Sequence, residues 1–149
     1  MALGTVYGFN DVTKQLGDGS YTLASDTLAF YFITETASAI NLDATNPVLA
    51  DFTQVASGGN YTGSFVGASA TWTRSTVASK YDAADLSLLK DASNPSTVKT
   101  LIAVDTTASN KAFCAWDMTT DNGVTPPDLV NNDFTFTVDA NGLFQVAKV

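Results

Sequence analysis

Histidine is absent from this 149-residue chain, cysteine and arginine occur once each, and only 15% of the residues are charged. Without histidine there is no Ser-His-Asp triad, no His-paired thiolate nucleophile and no His-ligated zinc. The single Cys114 permits no internal disulfide and no thiolate cluster. Between Phe113 and Trp116 it reads as a buried apolar thiol. One Arg and six Lys stand against fourteen Asp and one Glu, for a net charge of -8. So few cations argue against a nucleic-acid partner and against an anionic membrane surface. No stretch approaches the roughly 18 apolar residues of a membrane span. The opening MALGTVYGFN lacks the basic start and apolar run of a secretory signal. The expectation is a protein made in a reducing cytosol and kept there, or released by lysis. Neither GxGxxG nor GxxxxGK[ST] occurs.

What the chain does have is β-forming material. Nine Phe, five Tyr and two Trp accompany 33 Ser and Thr, and 45% of residues are hydrophobic. The length suits one domain that buries roughly two-thirds of its unfolded surface without a disulfide or metal. Apolar runs are short and bounded by Gly, Asn, Asp and Ser, the spacing of an all-β sandwich or barrel. Residues 27–34, TLAFYFIT, are apolar on both faces and predict a central strand. Residues 14–20 predict a loop, and 48–55 a single helical turn or a covered loop. Strands are expected over 61–66 and 68–74, and over 112–118. A hairpin is expected from 84–90 and 98–105, turning at Asn94-Pro95-Ser96. Residues 121–132 form a long loop around Pro126-Pro127. DFTFTV at 133–138 alternates strictly and predicts a closing hairpin with 143–149, turning over residues 139–142. The total is eight or nine strands in a single antiparallel sandwich of jelly-roll character, with an extended N-terminal segment.

Residues 1–10 stand apart from 11–149. Leu3, Val6, Tyr7 and Phe9 are apolar and precede the first strong turn signal. They read either as a first core strand or as an arm that adds a strand to a neighbouring subunit. The exposed β edges at 68–74 and 98–105 are further docking candidates. The carboxylates are the one abundant polar chemistry, but Asp18, Asp91, Asp121 and Asp139 sit in turn contexts, where Asp bonds its own backbone. Residues 117–128 match a calcium loop poorly, with Asn122 at the glycine position and Asp128 in place of the bidentate Glu. Asn60-Tyr61-Thr62 is a formal glycosylation sequon in a turn. Tyr61, Trp72, Tyr81 and Trp116 are candidates for a sugar-stacking platform, or core aromatics. No catalytic, cofactor-binding or metal-binding residue is assigned.

The order of short motifs resembles a family of small tailed-phage virion proteins. The resemblance runs through Leu16-Gly17-Asp18-Gly19, Ser25-Asp26-Thr27-Leu28, Leu49-Ala50-Asp51 and Gly58-Gly59-Asn60-Tyr61-Thr62. It continues through 68–73, Leu88-Leu89-Lys90-Asp91, Leu101-Ile102-Ala103-Val104-Asp105 and the strand pair at 133–138 and 142–146. It covers most of residues 14–149 and departs at 1–13 and at Pro126-Pro127. Such proteins are similar to capsid decoration, or cement, proteins: β-sandwich or jelly-roll domains, often trimeric, on the outer shell. The resemblance implies a major capsid protein partner, a homo-oligomer with a trimer favoured, a place on the virion surface and no enzyme activity. A tail-tube or head–tail connector subunit, and a carbohydrate-binding module, are the competing readings.

Overall fold

Buried hydrophobic strands need neighbours on both edges and cover on both faces, and the six residues of TLIAVD at 100–105 set that demand. The computed structural model describes residues 6–66, 71–74, 78–119, 121, 123–138 and 143–147. In chain order the elements are β1 (Val6–Gly8), α1 (Asp11–Gly17), β2 (Leu28–Ile33), β3 (Phe65–Val66), β4 (Thr71–Arg74) and β5 (Ala78–Asp82). They continue with β6 (Leu86–Leu88), β7 (Thr100–Asp105), β8 (Lys111–Asp117), β9 (Phe134–Phe136) and β10 (Phe144–Ala147). Two short 3₁₀ turns lie at Ala37–Ala39 and Leu49–Asp51. All strand pairs are antiparallel.

The fold is an all-β sandwich. One layer is a five-stranded sheet in the order β1-β8-β7-β2-β3. Opposite it are the three-stranded β10-β5-β4 sheet and the β6-β9 pair. Alternation puts Phe30 and Phe32 of β2, Leu101 of β7 and Trp116 of β8 on one face. Phe134 and Phe136 of β9 pack there: Trp116 and Phe136 meet edge-to-face at 5.0 Å, and Phe32 and Phe134 at 5.5 Å. A bulge between Ala103 and Val104 makes Phe113 the extra residue of β8. Its ring packs on Tyr21 at 5.7 Å and on Tyr81 of β5 at 6.3 Å. The opposite face carries Ala29, Ile33, Ile102, Val104, Ala112 and Ala115, all buried. The segment from 34 to 55 accounts for this. Its backbone meets β2 at Phe32 and Ile33, and β8 at Ala112, so it crosses the sheet and brings Ala37, Ile40 and Leu49 inside.

Several strands found different partners from those their patterns predict. The central strand over 27–34 forms as expected. However, β6 does not turn back onto β7: it pairs with β9, Leu86 opposite Phe136 and Leu88 opposite Phe134. Strand β7 instead lies between β2 and β8, because a strand buried at every position cannot be an edge. Residues 98–105 are thus no docking edge, whereas β4 does lie at the margin of its sheet. The closing hairpin is also replaced, with β10 pairing β5. Two Asp side chains tie the ends of the β6–β9 pair: Asp133 accepts the Lys90 N–H at 2.8 Å, and Asp85 the Val138 N–H at 2.9 Å. Strand β5 has no counterpart in the sequence pattern and brings the described strands to ten, while the strand expected over 61–66 is reduced to β3 at its end. Residues 14–17, expected as loop, end helix α1, which buries Val12 and Gln15. The turn within 48–55 is the 3₁₀ turn at Leu49–Asp51.

Loops on one end converge on Asn94, which is 5% exposed. Its amide donates to the carbonyls of Leu89 and Leu129, both at 2.9 Å, and its Oδ1 accepts the Asn60 N–H at 2.9 Å. Gly59 makes the approach possible: φ is +57°, and a Cβ there would stand 2.6 Å from Asn94 Oδ1. Replacing Asn94 by Ala removes one donor from each of the Leu89 and Leu129 carbonyls and leaves the Asn60 N–H without its acceptor. The expected loss is about 2–4 kcal/mol of unfolding free energy in urea titration. An unchanged midpoint would mean that water replaces the amide.

Candidate functional site

The N-terminal segment is the first candidate. Val6, Tyr7 and Gly8 pair with Trp116, Ala115 and Cys114 of β8. Phe9 is 3% exposed and meets Phe52 edge-to-face at 5.9 Å. The Asn10 N–H then donates to the Leu42 carbonyl at 2.9 Å. Val6, Tyr7 and Phe9 therefore lie in or against the chain's own sheet, the first-strand alternative, with β1 at its margin. Leu3 lies outside the described residues. Beside β1 is a cleft of about 360 Å³ lined by Gly8, Phe9, Val12, Phe113, Cys114 and Leu143, with Asn10 and Thr13 as its polar side chains. Burial pushes the Cys114 thiol far above its ordinary range, so it stays protonated and unreactive. Among its described lining residues the cleft holds no carboxylate or amine. It can take apolar surface.

A polar cluster behind the cleft was not foreseen. Gln15 is 2% exposed. Its amide donates to Asp11 Oδ2 at 2.6 Å and to Asn46 Oδ1, and its carbonyl accepts the Lys111 ammonium. The Asn46 N–H donates to the same Asp11 carboxylate at 3.0 Å. The Gln15 hydrogen bond, above all, holds Asp11 below its usual carboxylate range. This network ties α1 to β8 and to the 46–47 loop. Only the fold brings these residues together; no local spacing marks them.

The turn carboxylates do what their neighbours predict. Asp18 takes the Ser20 and Lys14 hydrogen bonds and falls to about 2. Asp91 accepts the Ser93 N–H at 2.8 Å. Asp121 accepts the Val124 and Thr125 N–H groups and the Thr125 hydroxyl. Asp117 bonds Thr119 twice, and Asp128 bonds Asn131 twice. The three carboxylates of the calcium-like stretch thus turn onto their own loops. No group of three metal-ligating residues converges among the described residues. Asp139 lies outside them.

Three of the four aromatic candidates belong to the core. Tyr61, Tyr81 and Trp116 are 1%, 0% and 4% exposed, which rules them out as a stacking platform. Trp72 lies on the margin strand β4. Tyr61 instead serves β2: its hydroxyl accepts the Phe32 N–H at 3.1 Å and donates to the Gly63 carbonyl at 2.7 Å. The sequon's Asn60 amide is engaged with the Leu89 and Lys90 carbonyls. What remains for recognition are strand margins and loops, with Val66, Leu89 and Val124 exposed. No family model, curated protein or solved structure matches the chain.

Phe9 separates the core-strand reading from the arm reading. Phe9→Ala should cost about 3–5 kcal/mol of unfolding free energy, independent of protein concentration. An unchanged stability in the isolated chain would return the segment to a neighbouring subunit.

Proposed function

We propose that the protein is a non-enzymatic decoration subunit of a tailed-bacteriophage head. It binds the outer surface of the assembled shell and bridges major capsid protein subunits. The observation that carries this reading is the match between motif order and architecture. The motifs of the phage virion resemblance fall on the sandwich frame: Thr27-Leu28 opens β2, Leu101–Asp105 lies in β7, and Gly58–Thr62 is the turn against Asn94. Support also comes from where the polar groups go. The turn carboxylates bond backbone and the large aromatics fill the core, which leaves margins and acidic loops as contact area.

The physical role is mass action. A subunit that binds the assembled lattice, and not its separated parts, raises the cost of pulling the shell apart. Many copies on adjacent sites make weak contacts effective together. A closed cyclic oligomer, a trimer in this reading, matches a lattice symmetry axis. With a charge of -8, its complement is a basic or mixed-charge shell surface.

The test is the molar ratio of this protein to the major capsid protein in purified virions, by quantitative mass spectrometry. Near-stoichiometric abundance is expected. A ratio far below that would place the protein in the tail or connector, and absence from virions would remove the virion reading altogether.

A further inference from the structure

Asp105 ends β7 with its carboxyl inside the protein, at 0% exposure. Oδ1 accepts the N–H groups of Thr107 and Ala108, both at 2.9 Å. Oδ2 is buried and has no donor among the described residues. The group that faces this carboxyl is a second one, Asp26. Backbone contacts hold the two segments together. The Thr106 N–H and hydroxyl both donate to the Thr27 carbonyl at 2.9 Å, and the Thr27 N–H donates to the Thr107 hydroxyl at 3.0 Å. Asp26 is itself held by the Thr22 N–H.

Among the described residues no cation forms an ion pair with either carboxyl. Lys111 stands opposite Asp105 in the β7–β8 register, but its ammonium donates to Gln15. From the loop after α1 comes Tyr21, and from β5 comes Tyr81. Both are phenols held neutral, with their own ionisation pushed up by burial and by Asp105. Cys114 of β8, close to Tyr21, is a neutral thiol.

We propose that Asp26 and Asp105 share one proton, and that this proton latches the start of β2 to the end of β7. One O–H between the carboxyls supplies the missing partner and removes one of two like charges. Burial first, and then Asp26, lift Asp105 from 3.8 to about 6, against the pull of its two backbone N–H donors.

The folded chain therefore holds this proton more tightly than the unfolded chain. The stability it contributes is complete below the ordinary carboxylate value of about 4 and is lost as pH rises to about 6. Asp11, Asp18, Asp82, Asp121 and Asp128 shift the other way, so their contributions are lost only as pH falls below about 4. The two windows are separate, and the latch acts in the upper one.

Asp105→Asn tests the latch. The carbonyl of Asn keeps the Thr107 and Ala108 bonds, and its amide donates to Asp26 at every pH. Thermal melts of both proteins from about pH 4 to about pH 8 should show no difference at the acid end. The variant should gain progressively up to about pH 6 and hold a constant advantage above it. Asp26→Asn should show the same profile, since the pair is reciprocal. A pH-independent difference, or no advantage at the alkaline end, would overturn the proposal. Carbon-13 NMR of the wild-type carboxyls decides the matter if a variant does not fold. One of the pair should titrate well above the ordinary range, and two ordinary titrations near 4 would refute the shared proton.

Discussion

Complete burial of β7 is the constraint on which the other elements depend. All six of its residues are inside, among them Leu101, Ile102 and Val104 at 0% exposure. Each such side chain contributes on the order of 1.5–3 kcal/mol only if both faces stay dry. A strand of this kind must have its backbone paired on both sides, and β2 and β8 supply that pairing. Its two faces must be covered, by the β6–β9 pair on one side and the 34–55 crossing on the other. The aromatics follow from the same demand. Phe30, Phe32, Trp116, Phe134 and Phe136 fill the space between layers because small residues on the same face, such as Ala103 and Cys114, leave room over the sheet.

Aspartate builds the periphery of this frame. Asp85, Asp91, Asp121, Asp128 and Asp133 accept backbone N–H groups at strand ends and turns, and Asn94 joins three loops. Such bonds satisfy donors that the strands leave open, and they need no cation. This explains how a chain with seven basic residues can carry fifteen acidic ones. Surface ion pairs add little: the two among the described residues, Lys14–Asp18 and Lys80–Asp82, are local. Asp105 is the exception to the pattern, because its second oxygen is buried without a donor among the described residues. The proposed function rests on the motif order, with strand margins and acidic loops as the contact area that the frame leaves outside.

Much of this was legible from residue pattern, and the remainder has physical reasons for being hidden. TLAFYFIT announces a covered strand because it is apolar on both faces. DFTFTV shows its faces correctly, with Phe134 and Phe136 buried and Thr135 exposed. Period-two alternation says which side a residue faces but not which strand lies beside it, so both hairpins were paired wrongly. Helix α1 has seven residues, too few for a 3.6-residue period to stand out. Strand β5 carries Tyr81 as its one large buried side chain. The turn aspartates were visible through their Gly and Asn neighbours. The Gln15 network and the Asp26–Asp105 pair were not, because only the register of β2, β7 and β8 brings those residues together.

The account's central claim is that β2, β7 and β8 form the rigid frame and that everything else is attached to it. Hydrogen exchange followed residue by residue, by NMR on the isolated protein, tests this most directly. The account predicts the slowest amides in 29–33, 101–104 and 113–116, with the β6–β9 and β4–β5–β10 strands opening earlier. Exchange in β7 as fast as in β6 or β9 would contradict it.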